Sequence, residues 1–381
     1  MSGSAPAPPV PPPTVPPVAV DTMGGDRAPS EIIAGAVAAA RDHGVGLVLV
    51  GQGPRIRSEL EKLGATGVIP IAHADEALDM HEGALASWRK PRSSIAIACR
   101  LIREGRASAL ISAGSTAGVV ATARLRLRGQ HGLMRPAVAV TLPTRPRPTV
   151  LLDAGATADP KPEMLVQFAG LGVAYAQVAL GVARPRVGLL NIGAEPGKGD
   201  KLTKRAYELL SEKPIPGGVF SGNLEGDDLL KGLVDVVVTD GFTGNVALKT
   251  MEGTVRLVAG EVRKAMTANR RAKVGAALQR GPMRELSERY SSDTYGGGVL
   301  LGLNGTVIIA HGSSNAQAIT AACVLGHDLA QGRIVERIRD QVVGPRTSRF
   351  RRSPERPERS ERPEPSAEER IEDSPVPPDE G

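Results

Sequence analysis

The sequence predicts an α/β protein built on a mainly parallel sheet flanked by helices. Short β-branched runs alternate with helix-length stretches through residues 18–343, which is the signature of βαβ units. The runs are apolar with little alternation, as strands covered on both faces are. No internal repeat competes with this reading.

The elements follow in order. Val18–Asp21 (VAVD) reads as the first strand and Pro29–Asp42 as the helix behind it. Gly46–Val50 (GLVLV) is the second strand, Ser93–Glu104 a helix, and Ala109–Ser112 (ALIS) a strand feeding a glycine turn and a further helix. Ala137–Leu142 and Thr149–Asp153 are strands rich in Val, Thr and Leu. Pro162–Gly181 is a long helix, Val187–Asn191 a strand, Lys201–Glu212 a helix and Val234–Thr239 a strand. Thr306–Ala310 and the helix Ser313–Leu329 close the series. Met164 to Ala183 carries no charge and has the length of a membrane span. Its Ala, Gly and Gln content, and its place between two strands, favour a buried crossover or subunit-interface helix.

Prolines crowd the ends: 8 lie in residues 1–17 and 8 in 344–381. Such segments bury too little apolar surface to offset backbone ordering, so both are expected to be disordered tails around one domain at 18–343. The first tail lacks the basic start and apolar stretch of a signal peptide. The 381 residues carry 47 Lys and Arg against 41 Asp and Glu, a net charge of +6. Aromatics are 2% of the chain, which argues against a stacking surface for single-stranded nucleic acid, and no motif supports a nucleic-acid partner. The 2 cysteines, Cys99 and Cys323, are far apart, so neither a disulfide framework nor a zinc site is expected, and a reducing cytoplasm fits.

Several motifs fail. Gly51-Gln52-Gly53 begins a dinucleotide fingerprint, but Ile56 stands where the third glycine belongs. Gly193 to Gly199 is one residue short of a P-loop, and Gly199 replaces the magnesium-holding Ser/Thr. His81-Glu82 lacks the second histidine of HExxH, and no GxSxG elbow occurs.

What survives is a repeated strand, small polar turn, helix. Asp21 to Asp26 contains Gly24 and Gly25; Ser112 to Gly118 contains Gly114, Ser115 and Thr116. Asn191-Ile192-Gly193 has Lys198 close behind; Asp240 to Asn245 contains Gly241 and Gly244; His311-Gly312-Ser313 precedes the last helix. In a parallel sheet such turns gather at the strands' carboxyl ends, where ligands bind. Glycine admits an anion to the backbone and helix N-termini offer free N–H groups, so a phosphate-bearing ligand is expected. Asp21 and Asp240 could equally cap the helices that follow.

These residues resemble the PlsX family, the bacterial phosphate acyltransferases of phospholipid synthesis. The resemblance rests on VDTMGGDRAP (20–29), SAGSTAG (112–118), LLDAGATADPKPEMLVQFAGLG (151–172), LLNIGAEPGKGDKLTK (189–204), SGNLEGDDLL (221–230), VVVTDGFTGNVALKTMEG (236–253) and YGGGVLLGLNGTVIIAHGSSNAQA (295–318). The chain departs from the family at Ser115, at Ala117-Gly118, at Ala194 and along Met80–Arg92.

The resemblance implies a fold similar to isocitrate and isopropylmalate dehydrogenases, a homodimer, and transfer of a fatty acyl group from acyl carrier protein to inorganic phosphate. A thioester is already activated, so phosphate can attack it without a nucleophilic side chain, a metal or a cofactor. On that basis Lys198, Asn191, Asn245 and His311 are the expected catalytic residues. Lys198 would supply a cation, and Asn191, Asn223 and Asn245 orienting hydrogen bonds. Gly114, Ser115 and Thr116 would cradle phosphate, and Asp21, Asp26 and Asp240 would order the crevice. His311 with Ser313 would line it and assist proton transfer. Gly24, Gly25, Ser112, Asp153, Gly193, Gly241 and Gly244 complete the expected substrate-binding set. Carrier protein is acidic, and Arg124, Arg126, Arg128 and Arg135 are a candidate docking patch. The product's consumer would be a membrane glycerol-3-phosphate acyltransferase, a transient partner. Glu261–Tyr290 is similar to the projecting segment that peripheral family members set against membranes. Arg270, Arg271, Lys273 and Arg280 there flank the apolar stretch Val274–Leu278, so a cytoplasmic protein with weak peripheral contact at the inner membrane face is expected. A coenzyme A thioester enzyme, a dehydrogenase and a non-catalytic scaffold are the competing readings.

Overall fold

Eleven strands form one sheet in the computed structural model, which describes residues 15–343 apart from 80, 81, 83, 84 and 291–294. Both proline-rich tails, apart from 15–17, and His81 thus lie outside the described residues. The strands are β1 (Val18–Asp21), β2 (Leu47–Gly51), β3 (Ile71–His73), β4 (Ala109–Ser112), β5 (Ala137–Leu142), β6 (Thr149–Leu152), β7 (Arg186–Leu190), β8 (Val219–Leu224), β9 (Val236–Val238), β10 (Gly298–Leu301) and β11 (Thr306–Ile309). Their order is β3-β2-β1-β4-β11-β10-β5-β6-β9-β7-β8. Most neighbours are parallel. The exceptions lie together in the middle, where β10 runs antiparallel to both β11 and β5, and β5 antiparallel to β6.

That central block reverses the sheet. β1, β2, β3, β4 and β11 end at one edge, here called the upper edge, together with β5. β6, β7, β8 and β9 end at the opposite, lower edge. The sequence reading placed all five ligand turns at one edge, and the structure overturns this. The mainly parallel, helix-flanked class itself holds.

Helices cover both faces. On the back lie α1 (Ser30–His43), α2 (Gly53–Lys62), α6 (Pro162–Ala179), α7 (Lys201–Glu212), α11 (Ala316–Gln331) and α12 (Ile334–Ile338). On the front, after the short α3 (Ala86–Arg89), lie α4 (Ser94–Arg103) and α5 (Thr116–Leu127) over the first half of the sheet. α8 (Gly241–Thr267) begins over the second half, followed by α9 (Arg270–Leu278) and α10 (Arg280–Arg289). Burial on both faces explains the unbroken apolar strands. In β1, Val18 and Val20 join the back core while Ala19 joins the front one. α6 settles the uncharged stretch: Leu165, Phe168, Leu171, Val173 and Tyr175 are all buried in the back core. No described helix is long and apolar enough to cross a membrane.

Candidate active site

At the upper edge three turns are tied together. Asp21 ends β1 and is 1% exposed. Its Oδ2 accepts the Ser112 hydroxyl at 2.7 Å and its Oδ1 the Met23 N–H at 3.0 Å. Burial raises its pKa above the ordinary carboxylate value, opposed by those hydrogen bonds. The Gly114 N–H donates to the same Ser112 oxygen at 3.1 Å. A Cβ on Gly24 would stand 2.7 Å from the Gly114 nitrogen, so only glycine lets the two turns pack backbone to backbone. Gly25 (φ +108°) turns the chain so that the Asp26 N–H donates to the Gly312 carbonyl at 2.8 Å, which brings in the third turn.

His311 follows β11 there and is exposed. Its Nδ1 accepts the Ser313 N–H at 3.2 Å and lies 2.8 Å from the Ser313 hydroxyl. An amide N–H can only donate, so Nδ1 keeps its lone pair and the proton of the neutral ring sits on Nε2. His311 therefore presents its Nε2–H as a donor toward the crevice. Beside it α5 begins without a side-chain cap on its first turn. Ser115 holds the cap position but its hydroxyl does not bond the helix, and Thr116 is exposed. A twelve-residue helix with an open N-terminus favours an anion.

The lower edge gathers the other group. Asp153 follows β6 and is 0% exposed. Its carboxylate accepts N–H groups from Val138 (2.9 Å), Gly155 (3.0 Å), Ala156 (2.9 Å) and Thr157 (2.7 Å). Burial raises its pKa and these four bonds oppose the rise. Asp240 caps α8, accepting the Thr243 N–H at 2.8 Å. Gly241 and Gly244 pack on Asp153 where a Cβ would collide, and Asn245 lies beside Gly155. One strand over, the Asn191 side chain donates to the Lys198 carbonyl at 3.0 Å and accepts the Ile192 N–H at 2.8 Å. Gly193 packs under the Lys198 stem, where its Cβ would stand 3.0 Å from Cγ. Asn223 donates to the Glu195 carbonyl at 3.0 Å, while its Oδ1 is buried and unpartnered. Lys198 is exposed and makes no ion pair among the described residues.

Asp21, Asp153, Asp240 and Asn191 each bond groups of the loops that carry the site. Lys198 and the Ser115–Thr116 turn thus stand at opposite edges of the sheet in one chain. The strands between the two edges are 3 to 6 residues long, roughly 10–20 Å. In the basic patch, Arg124, Arg128 and Arg135 are exposed near the lower end of α5, but the Arg126 Nε is buried. Ile192 (81% exposed) and Phe242 (67%) were missed in the sequence. Each is an apolar residue directly inside a polar turn, which was the available signal.

The fatty acid synthesis protein family matches residues 17–337. A phosphate acyltransferase from Thermobifida fusca is 58% identical over 335 residues, 88% of this chain and 93% of its own. One from Thermus thermophilus is 43% identical over 325 residues, 85% of this chain and 98% of its own. A phosphotransacetylase from Streptococcus pyogenes has a TM-score of 0.55 at 19% identity, covering 84% of this chain and 94% of its own. The EutD phosphotransacetylase from Staphylococcus aureus has a TM-score of 0.54 at 14% identity, over 83% and 94%. These two share the fold. The match over almost the whole described body, with relatives this similar along their full lengths, makes the chain an acyltransferase of the PlsX family, with a phosphate acyltransferase role in fatty acid and phospholipid synthesis.

Proposed function

We propose that the enzyme moves a fatty acyl group from the thioester of acyl carrier protein to inorganic phosphate by direct attack. One phosphate oxygen forms the C–O bond, the C–S bond breaks, and the phosphate proton ends on the departing sulfur. The open N-terminus of α5 beside the His311 Nε2–H carries this reading, because it offers a dianion backbone, hydroxyl and imidazole donors without a competing cap. Lys198 lies at the opposite edge in its own chain, so in this reading the second subunit of the homodimer supplies it as the positive charge for the oxyanion. The cysteines support direct attack: Cys99 and Cys323 are both buried, and burial pushes each thiol up to about 12. Acyl carrier protein docks at the lower edge on Arg124, Arg128 and Arg135, the protein acts as a homodimer in the cytoplasm, and the membrane glycerol-3-phosphate acyltransferase receives the product.

The test is to incubate the enzyme with palmitoyl carrier protein and phosphate and trap acyl phosphate with hydroxylamine. Hydroxamate is expected with the carrier thioester and phosphate together, and not with acetyl-coenzyme A. No hydroxamate above an enzyme-free control sinks the reading. One observation favours a second reading. The Ser313 hydroxyl lies 2.8 Å from His311 Nδ1, the arrangement of an activated serine, which would carry the acyl group before phosphate does.

Weak membrane contact belongs to the same proposal. α9 exposes Val274 (64%) and Leu278 (83%), with Arg270, Arg271 and Lys273 around them. Basic residues near an anionic surface contribute about 1 kcal/mol each, screened by salt. Co-sedimentation with phosphatidylglycerol vesicles is expected at low salt, weakening at high salt, and falling further in Val274→Asp plus Leu278→Asp. Equal binding by both proteins removes this segment as the anchor.

A further inference from the structure

α11 begins at Ala316, directly behind the His311-Gly312-Ser313 turn, so whatever fixes its first turn also fixes the imidazole. The Ser314 N–H donates to the His311 carbonyl at 2.9 Å, and the Asn315 side chain accepts the Ala318 N–H at 2.9 Å. The chain therefore runs from the ring into the helix with little slack. The Ala316 N–H is the first of α11 and has no acceptor within its own helix. It donates at 2.7 Å to Oε2 of Glu31, which lies 285 residues away in sequence, on α1.

Glu31 is well placed to hold that group. It is half-buried and makes no ion pair among the described residues. Its carboxylate also belongs to the first turn of α1, so one negative charge meets the positive ends of two helices. The two helices touch almost backbone to backbone: a Cβ on Gly35 would stand 2.7 Å from the Ile319 Cβ, and the Thr320 hydroxyl donates to the Gly35 carbonyl at 3.0 Å. On the other side of the turn, the Asp26 N–H grips the Gly312 carbonyl at 2.8 Å. Gly312 and Ala316 are thus both held from the β1–α1 segment, and Ser313, the partner of the His311 Nδ1, lies between the two grips.

We propose that Glu31 is a positioning residue for transfer to phosphate. Its bond to Ala316 sets the His311-Gly312-Ser313 turn so that the imidazole Nε2–H is held toward the phosphate at the open α5 N-terminus. Glu31 acts through His311 and touches no substrate itself.

The inference rests on the phosphate acyltransferase reading, and one of its two readouts needs no turnover. Glu31→Ala, Glu31→Asp, Glu31→Gln and Thr320→Val are compared with wild type by hydroxamate kinetics and by nitrogen NMR of isotope-labelled histidine, with His311→Ala identifying the His311 signals among the 6 histidines. Glu31→Ala and Glu31→Asp leave the Ala316 N–H without its acceptor. Their kcat should fall roughly ten- to hundredfold, the scale of a displaced reacting group, while the KM for the carrier thioester, which docks at the lower edge, stays within about twofold. The loosened turn should also show His311 as a mixture of tautomers in place of the Nε2–H form alone. Glu31→Gln keeps an acceptor oxygen at the same reach and should restore both readouts. Thr320→Val loosens the same helix pair but leaves the Ala316 N–H bonded, so it should melt lower yet keep wild-type kcat and the wild-type ring signature. Should Glu31→Ala fail to fold, Glu31→Asp carries the comparison.

Wild-type kcat and ring signature in Glu31→Ala or Glu31→Asp overturn the proposal. So does an equal loss in Glu31→Gln, which keeps the bond, or in Thr320→Val, because general weakening of the α1–α11 contact then accounts for the effect. A wild type that forms no hydroxamate is the separate result that removes the underlying reading, and the ring signature of the same variants still decides whether Glu31 sets the His311 turn.

Discussion

Lys198→Ala is expected to lower turnover by about 10²–10³-fold, the usual cost of removing one preorganised electrostatic contact to a developing charge. Its melting temperature should not move. The ammonium is exposed and makes no ion pair among the described residues, while the backbone carbonyl that Asn191 holds survives the substitution. Steady-state kinetics with a thermal melt checks both halves. Near-normal turnover would show that the cation is a bystander on a glycine loop, and a large fall in melting temperature would make its role structural.

The second large effect is on stability. Asp153→Ala removes the acceptor for four backbone N–H groups at a fully buried position where β5, the turn after β6 and the start of α8 meet. An unsatisfied buried donor costs about 1–3 kcal/mol, so a loss of at least about 3–5 kcal/mol is expected even if water reaches some of them. For a folded body of this size that is a fall in melting temperature of roughly 4–7 °C. Asp153→Asn keeps one acceptor oxygen and should fall between. Urea unfolding measures it. A variant that melts like wild type but has lost its phosphate dependence would put Asp153 back among the substrate contacts.

The contrast between these residues shows what was legible in the sequence. β1, β6 and β9 are apolar runs buried on both faces, so composition alone marks them. β3 has three partly exposed residues, β8 is an edge strand carrying Ser221 and Gly222, and β10 follows a glycine run, so none gave a continuous apolar signal. The reversal of the sheet escaped because local pattern does not encode strand direction. Connection length does. Residues 143–148 between β5 and β6, and 302–305 between β10 and β11, are too short for the crossover that parallel strands require. Those two gaps were the available sign that the glycine turns would divide between two edges. Within the site, the turns themselves were legible, because glycines at close backbone approaches such as Gly24 against Gly114 leave a sequence mark. Which polar side chains the loops tie down was not. Asp21, Asp153 and Asn191 occupy the same kind of position as Ser115 and Lys198, and only the hydrogen bonds within the chain distinguish them.

Direct attack by phosphate is tested most simply by leaving phosphate out. The enzyme is incubated with palmitoyl carrier protein and isotopically labelled free carrier protein, and acyl exchange between the two is followed by mass spectrometry. With no covalent acyl-enzyme, the label should stay in the free pool, and the enzyme itself should carry no palmitoyl adduct until phosphate is added and acyl phosphate appears. Exchange without phosphate, with an adduct on Ser313, would contradict the account and establish the serine route in its place.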